Sequence, residues 1–197
     1  ISIETIRDLH RIQGSKYVQS DIGDSYQEAK TYLEQERKVL FSGTTCQIAG
    51  LKAFLNKEYE NLYTIDVVCH GVPSPAVFDE YVGFLEDKNK GKVTRLSFRD
   101  KRNGWRDYVF SVKFDNGREY INNRLDDLYM RGFLHDYYLR PSCFCCKHKG
   151  INRISDITLG DLWGVDKICL DLDDDKGTSL VIISSKKAKQ LFEEVTG

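Results

Sequence analysis

The chain has 197 residues, 30% of them charged, and a formal net charge of -1. That length allows one domain with a sizeable core, and the balanced charge provides no global field to gather nucleic acid or an anionic membrane. No apolar run approaches the roughly 20 residues of a membrane span and no signal peptide is read. Six cysteines in so long and charged a chain therefore argue for reduced thiols in a cytoplasm, not a secreted disulfide scaffold.

Ile3, Ile6, Leu9 and Ile12 recur at helical spacing and predict a helix over 3–12, ended by Gly14. Lys16–Ser20 reads as a short strand and Ser25–Glu36 as a helix with Tyr26, Ala29, Tyr32 and Leu33 on one face. Val39-Leu40-Phe41 predicts a buried strand stopping at Ser42-Gly43, followed by a helix that turns Ile48, Leu51 and Leu55 inward. The pattern repeats: a strand over Leu62–Val68, a turn at His70–Pro73, then a helix capped by Ser74 and running to about Lys88. Strand–helix–strand–helix with short connections predicts a parallel α/β unit.

Beyond it, Val93–Arg99 and Trp105–Phe114 alternate apolar and polar residues, and Asp115-Asn116-Gly117 turns the chain into Glu119–Ile121. A helix over Leu125–Tyr138 leads to a cysteine-rich loop, a strand at Asp156–Leu159, an acidic turn at Asp171–Asp175, a strand at Ser179–Ser184 and a last helix. The expected fold is α/β, with a parallel or mixed sheet flanked by helices and an appended antiparallel hairpin region. We treat residues 1–197 as one domain and, since the chain opens at Ile1, as a fragment of something longer.

The chemistry-bearing residues are the cysteines. Cys143 and Cys146 form a C-x-x-C that can grip one ion, with Cys145 as a spare between them. Cys46 and Cys69 each follow an apolar strand at a Gly-, Ser- or Thr-bearing turn, where α/β proteins present side chains to a crevice. Cys46 also opens a helix, where backbone N–H groups favour a thiolate or a phosphate. Lys52 stands where a phosphatase loop needs arginine, and Gly50-Leu51-Lys52 breaks a Walker loop, so neither template holds. Cys69-His70 as nucleophile and base is weakened because strand neighbours face opposite ways, which favours Cys69 as ligand and His70 turned toward a cofactor. Cys169 is expected to pack in the interior, and Phe144 and Ile151 to anchor the loop from Pro141 to Arg153. Lys147, Lys149 and Arg153 form either a solvated face or a counter-charge for thiolates or a cofactor phosphate. Zinc and an iron–sulfur cluster are not separated by spacing: structural zinc usually takes two paired knuckles, whereas a cubane tolerates dispersed thiolates.

Read together, GSKYVQS (14–20), VLFSGTTCQIAGLKAFL (39–55), TIDVVCHGVPSP (64–75), FRDKRNGW (98–105), RPSCFCCKHKG (140–150), SDITLGDLWG (155–164) and DDKGTSLVII (174–183) resemble the beta subunit of coenzyme F-420 hydrogenase and dehydrogenase and its bacterial relatives. Thr45 departs from the proline usual in that pattern. The resemblance implies an oxidoreductase carrying FAD and a four-iron cluster (4Fe-4S). Hydride would pass between FAD and a deazaflavin such as coenzyme F-420, or another organic substrate, and single electrons to a ferredoxin-like module or subunit. It implies Cys46, Cys69, Cys143 and Cys146 as cluster ligands. On the flavin side it implies Ser42, Gly43, Thr44, Gln47, His70 and Gly71, with Lys16 on a phosphate or ring oxygen. The family's N-terminal ferredoxin-like and Ser-Gly-Gly flavin-binding segments are not found before Gly14, so this fragment is expected to be a structural core that no longer binds FAD tightly. The alternative is a zinc-stabilised binding or scaffold domain without activity of its own.

Overall fold

A computed structural model describes residues 1–197. Its strands are β1 (Val39–Gly43), β2 (Leu62–Val67), β3 (Val93–Asp100), β4 (Val109–Phe114), β5 (Glu119–Asn123), β6 (Ile157–Asp161) and β7 (Ser179–Ile183). Its helices are α1 (Ser25–Glu34), α2 (Thr45–Leu55), α3 (Pro75–Asn89), α4 (Leu128–Leu134), α5 (Pro141–Phe144), α6 (Val165–Ile168) and α7 (Lys186–Thr196). The fold is mixed α/β, with two sheets and two compact units, one of Ile1–Ser20 and Gly71–Cys145, the other of Asp21–His70 and Cys146–Gly197.

The second unit carries the sheet β1-β2-β6-β7. β1 pairs with β2 and β2 with β6 in parallel, while β7 closes the edge antiparallel to β6. Leu33 of α1, Leu51 and Leu55 of α2 and Leu62 of β2 form its buried cluster, with Val39, Phe41 and Tyr26 packed against them. The expected helical stripe at Ile48, Leu51 and Leu55 is buried throughout. Burying such side chains contributes about 1.5–3 kcal/mol each before ordering entropy is subtracted, which is why α2 lies on the sheet.

The first unit has its own sheet, β3-β4-β5, antiparallel throughout. The expected hairpin region is therefore a sheet with an aromatic core of Tyr81, Phe98, Tyr108, Phe110, Phe114 and Tyr129, with Leu85, Val112 and Met130. Asp127, fully buried, accepts from the α4 amide of Met130 at 2.8 Å and from the hydroxyls of Tyr81 at 2.5 Å and Tyr120 at 3.1 Å. This N-cap sets the start of α4 three residues later than the apolar pattern predicts. The chain leaves the helix at Asp136, which has φ 64°.

Two expectations at the N-terminus are corrected. Residues 3–12 give only a 3-10 turn at Ile6–Arg11, and Ile6, Leu9 and Ile12 are exposed, so the helical spacing has no core behind it. Lys16–Ser20 joins no sheet. Tyr17 instead stacks on Phe133 at 4.7 Å and its carbonyl accepts from Tyr129 at 2.6 Å, so ring packing holds the segment where a ladder was expected.

Candidate metal and cofactor site

The register Gly43↔Asp66 puts the carboxyl ends of β1 and β2 side by side. Cys46, in the first turn of α2, and Cys69, two residues past β2, thus leave the same end of adjacent parallel strands, as the sequence predicts. Thr44 caps α2, and Gln47 completes a capping box with its Oε1 accepting from the Thr44 amide at 2.9 Å. Cys46 is exposed, and its Sγ lies 3.2 Å from Thr44 Oγ1. Tyr26 donates to the Gln47 carbonyl at 2.7 Å; burial first, then the charge of Cys46, pushes its phenol upward. Past β2 the ladder continues, Val68 N donating to Leu159 O at 2.8 Å. Gly160 permits that approach, since a Cβ there would meet Val68 Cγ2 at 2.8 Å.

Cys69 is half-buried, while His70 and Ser42 are exposed. Gly71, at φ 151°, needs glycine twice over: its backbone conformation disfavours a side chain, and a Cβ would meet Leu139 Cδ1 at 2.6 Å. Pro73 bridges Leu139, and Arg140 N donates to Val72 O at 3.0 Å, so the turn after His70 fixes the approach to α5. Cys143 lies in α5, half-buried, its amide donating to Arg140 O at 2.8 Å. The boundary between the two units falls between Cys145 and Cys146.

Three expectations change here. Cys169 is exposed, because the short α6 that precedes it buries Val165 only, and it does not pack in a core. Phe144 and Ile151 are exposed at 63% and 82%, so they do not anchor the cysteine loop. Arg153 does not share a solvated face with Lys147 and Lys149: its side chain is 6% exposed, its Nη2 donates to Val67 O at 3.0 Å and lies 3.6 Å from the buried Asp66 carboxylate.

Asp66 belongs to a buried polar layer that sequence reasoning missed. Ser155 donates to Asp66 Oδ1 at 2.7 Å, Thr158 donates to the same oxygen, and Arg153 Nε donates to Thr158 Oγ1 at 3.0 Å. Beside it, Thr64 N and Oγ1 both donate to Asp156 Oδ2 at 2.8 Å, and Ser185 donates to Asp156 Oδ1 at 2.7 Å. Lys187 Nζ lies 3.8 Å from the same carboxylate. Burial opposes ionisation of Asp156, but the hydrogen bonds from Ser185 and Thr64 and the Lys187 ammonium outweigh it and hold its carboxyl below the usual range. Thr64 and Asp66 alternate along β2 at its buried positions, a period-two signal that was visible in TIDVV.

Lys16 donates to the carbonyls of Ile12, Gln13 and Gly14 at 3.2, 2.9 and 3.1 Å and so closes its own turn. All six cysteines carry thiols, soft donors that suit iron–sulfur or zinc. No three His, Cys, Asp or Glu side chains are grouped to hold a metal ion. The donor chemistry thus fits a thiolate-ligated centre, while the four cysteines expected as ligands are not grouped.

Residues 36–196 match the family defined by the C-terminal part of the coenzyme F-420 hydrogenase/dehydrogenase beta subunit. The chain belongs to that family. The match takes in every cysteine and leaves out Lys16. Comparison with curated proteins finds no match. Among solved structures, a chain of the xenon-derivatised F-420-reducing NiFe hydrogenase complex from Methanosarcina barkeri is similar, with a TM-score of 0.56 and 17% identity. The likeness covers 96% of this chain and 58% of that one, and at such identity it speaks for the fold alone. No helix of this family member is long and apolar enough to cross a membrane.

Proposed function

We propose that this chain is the redox-centre-bearing part of a flavin- and iron–sulfur-dependent oxidoreductase. Cys46, Cys69, Cys143 and Cys146 are the cluster ligands, and Ser42, Gly43, Thr44, Gln47, His70 and Gly71 lie on the flavin side. The observation that carries this reading is the emergence of Cys46 and Cys69 from the same end of β1 and β2, within the family match. When bound, FAD and a four-iron cluster supply an exchange between two-electron hydride chemistry and single-electron transfer. The chain's own residues do the holding. The Thr44–Gln47 capping box fixes the first turn of α2, and with it the direction of Cys46. Gly71 and Leu139 set the course of the chain into α5 and Cys143. Lys16 could reach a phosphate only by giving up three carbonyls, so we assign it the least weight among the flavin-side residues. The electron partner is a ferredoxin-like module or subunit, and the substrate a deazaflavin or another organic redox compound, in a cytoplasm.

Anaerobic reconstitution with ferrous iron and sulfide tests the assignment. The expected product is a brown protein with broad visible absorption and matched iron and labile sulfide. A colourless protein that takes up stoichiometric zinc and no cluster would sink it, and would favour the scaffold reading.

A further inference from the structure

The arm of the loop that follows Cys146 has little apolar burial to hold it, with Ile151 82% exposed, yet it ends in a side chain that is 6% exposed. That side chain is Arg153, and its guanidinium joins pieces of chain that are distant in sequence. Nη1 donates to Gly150 O at 3.1 Å, within the arm itself. Nε donates to Thr158 Oγ1 at 3.0 Å on β6. Nη2 donates to Val67 O at 3.0 Å, two residues before Cys69, and lies 3.6 Å from Asp66 Oδ2. That oxygen is buried and accepts no hydrogen bond, so the guanidinium is the charge it faces. A planar fork with five donors can serve these directions at once, whereas an ammonium on a flexible stem acts as a single point.

We propose that Arg153 is a positioning residue, a clamp that ties the Cys146 arm to the end of the strand carrying Cys69 before any metal is bound. The inference rests on the reading of Cys69 and Cys146 as ligands. Its physical content is preorganisation: the two thiols start from a restricted spacing, so less ordering accompanies binding. The same contact explains how an arm with exposed Ile151 ends in a fixed place. Lys147 and Lys149 are exposed and take no part.

The test uses the metal-free chain and two variants. Arg153→Lys keeps a cation facing Asp66 but loses the fork. Asp66→Asn/Arg153→Met removes both buried charges, so folding does not depend on an orphaned carboxylate. Limited trypsin cutting after Lys147 and Lys149 is compared with hydrogen exchange at Leu51 and Leu55 in α2, and iodoacetamide labelling rates are measured at Cys69 and Cys146. The clamp predicts roughly tenfold faster cutting of the arm in both variants, with exchange in α2 unchanged. It also predicts faster labelling of Cys146 and a lower yield when iron and sulfide are added. Unchanged arm cutting in both variants overturns it, as does faster cutting matched by an equal rise of exchange in α2, which would mean global loosening. If the unaltered chain forms no chromophore, the ligand reading fails by itself. Arm cutting in the variants then still decides the clamp, with acceleration supporting it and constancy overturning it.

Discussion

Asp156 is a buried side chain that makes the stability of the fold depend on pH. Its folded pKa lies below the ordinary carboxylate value, so the folded state binds the proton more weakly than the unfolded chain does. Its stabilisation is complete above the unfolded value of about 3.9 and fades as pH falls through the folded value. Asp100 adds to this with the same sign, because Arg102, 2.6 Å away, holds its carboxyl low. Urea unfolding followed from pH 7 to pH 3 should therefore show stability lost below about pH 4. Asp156→Asn should flatten that acid limb and cost on the order of 2 kcal/mol at pH 7, since its hydrogen bonds are charge-assisted. An unchanged acid limb in the variant would mean another group carries the effect. The fate of Arg153 was not legible at this scale: a cation beside two lysines looks like any solvated cluster until Asp66, on β2, is seen to face it.

Elements were read better than contacts. α1, β1, α2, β2, α3 and β7 fall close to their sequence predictions because each has a clear apolar period and a marked end, such as Gly43 closing β1 or Ser74 before α3. The 3–12 stripe failed for lack of a surface to bury it, which periodicity does not report. α4 started late because a buried cap outweighed propensity. Asp127 caps Met130 and takes two tyrosine hydroxyls, and burial followed by that carboxylate pushes the Tyr81 phenol far above its ordinary value. Asp127→Ala should thus remove the cap and strand two hydroxyls. The expected cost is about 3 kcal/mol in chemical denaturation, with hydrogen exchange in α4 rising first. A loss under about 0.5 kcal/mol, the size of an ordinary surface change, would show that the network does not hold the helix. The FRDKRNGW run also proved structural in part, with Arg102 joining Asp100 and Glu119 at 2.6 and 2.7 Å across the antiparallel sheet.

Across the whole molecule, the resemblance carried by seven short runs anticipated the family, and the parallel sheet anticipated where Cys46 and Cys69 emerge. The division into two units was not legible, because two sheets fed by alternating chain segments leave no linker composition to mark it. Cys46, Cys69, Cys143 and Cys146 are proposed to hold an iron–sulfur cluster, and Cys145 and Cys169 are not. That proposal is tested most directly by iron and labile sulfide per chain after anaerobic reconstitution of the six single Cys→Ser variants. Severe loss of both is expected in the first four, with protease cutting near Lys147 appearing in Cys143→Ser and Cys146→Ser, and full content in Cys145→Ser and Cys169→Ser. Full iron in Cys143→Ser and Cys146→Ser, or a bleached Cys169→Ser, would contradict it.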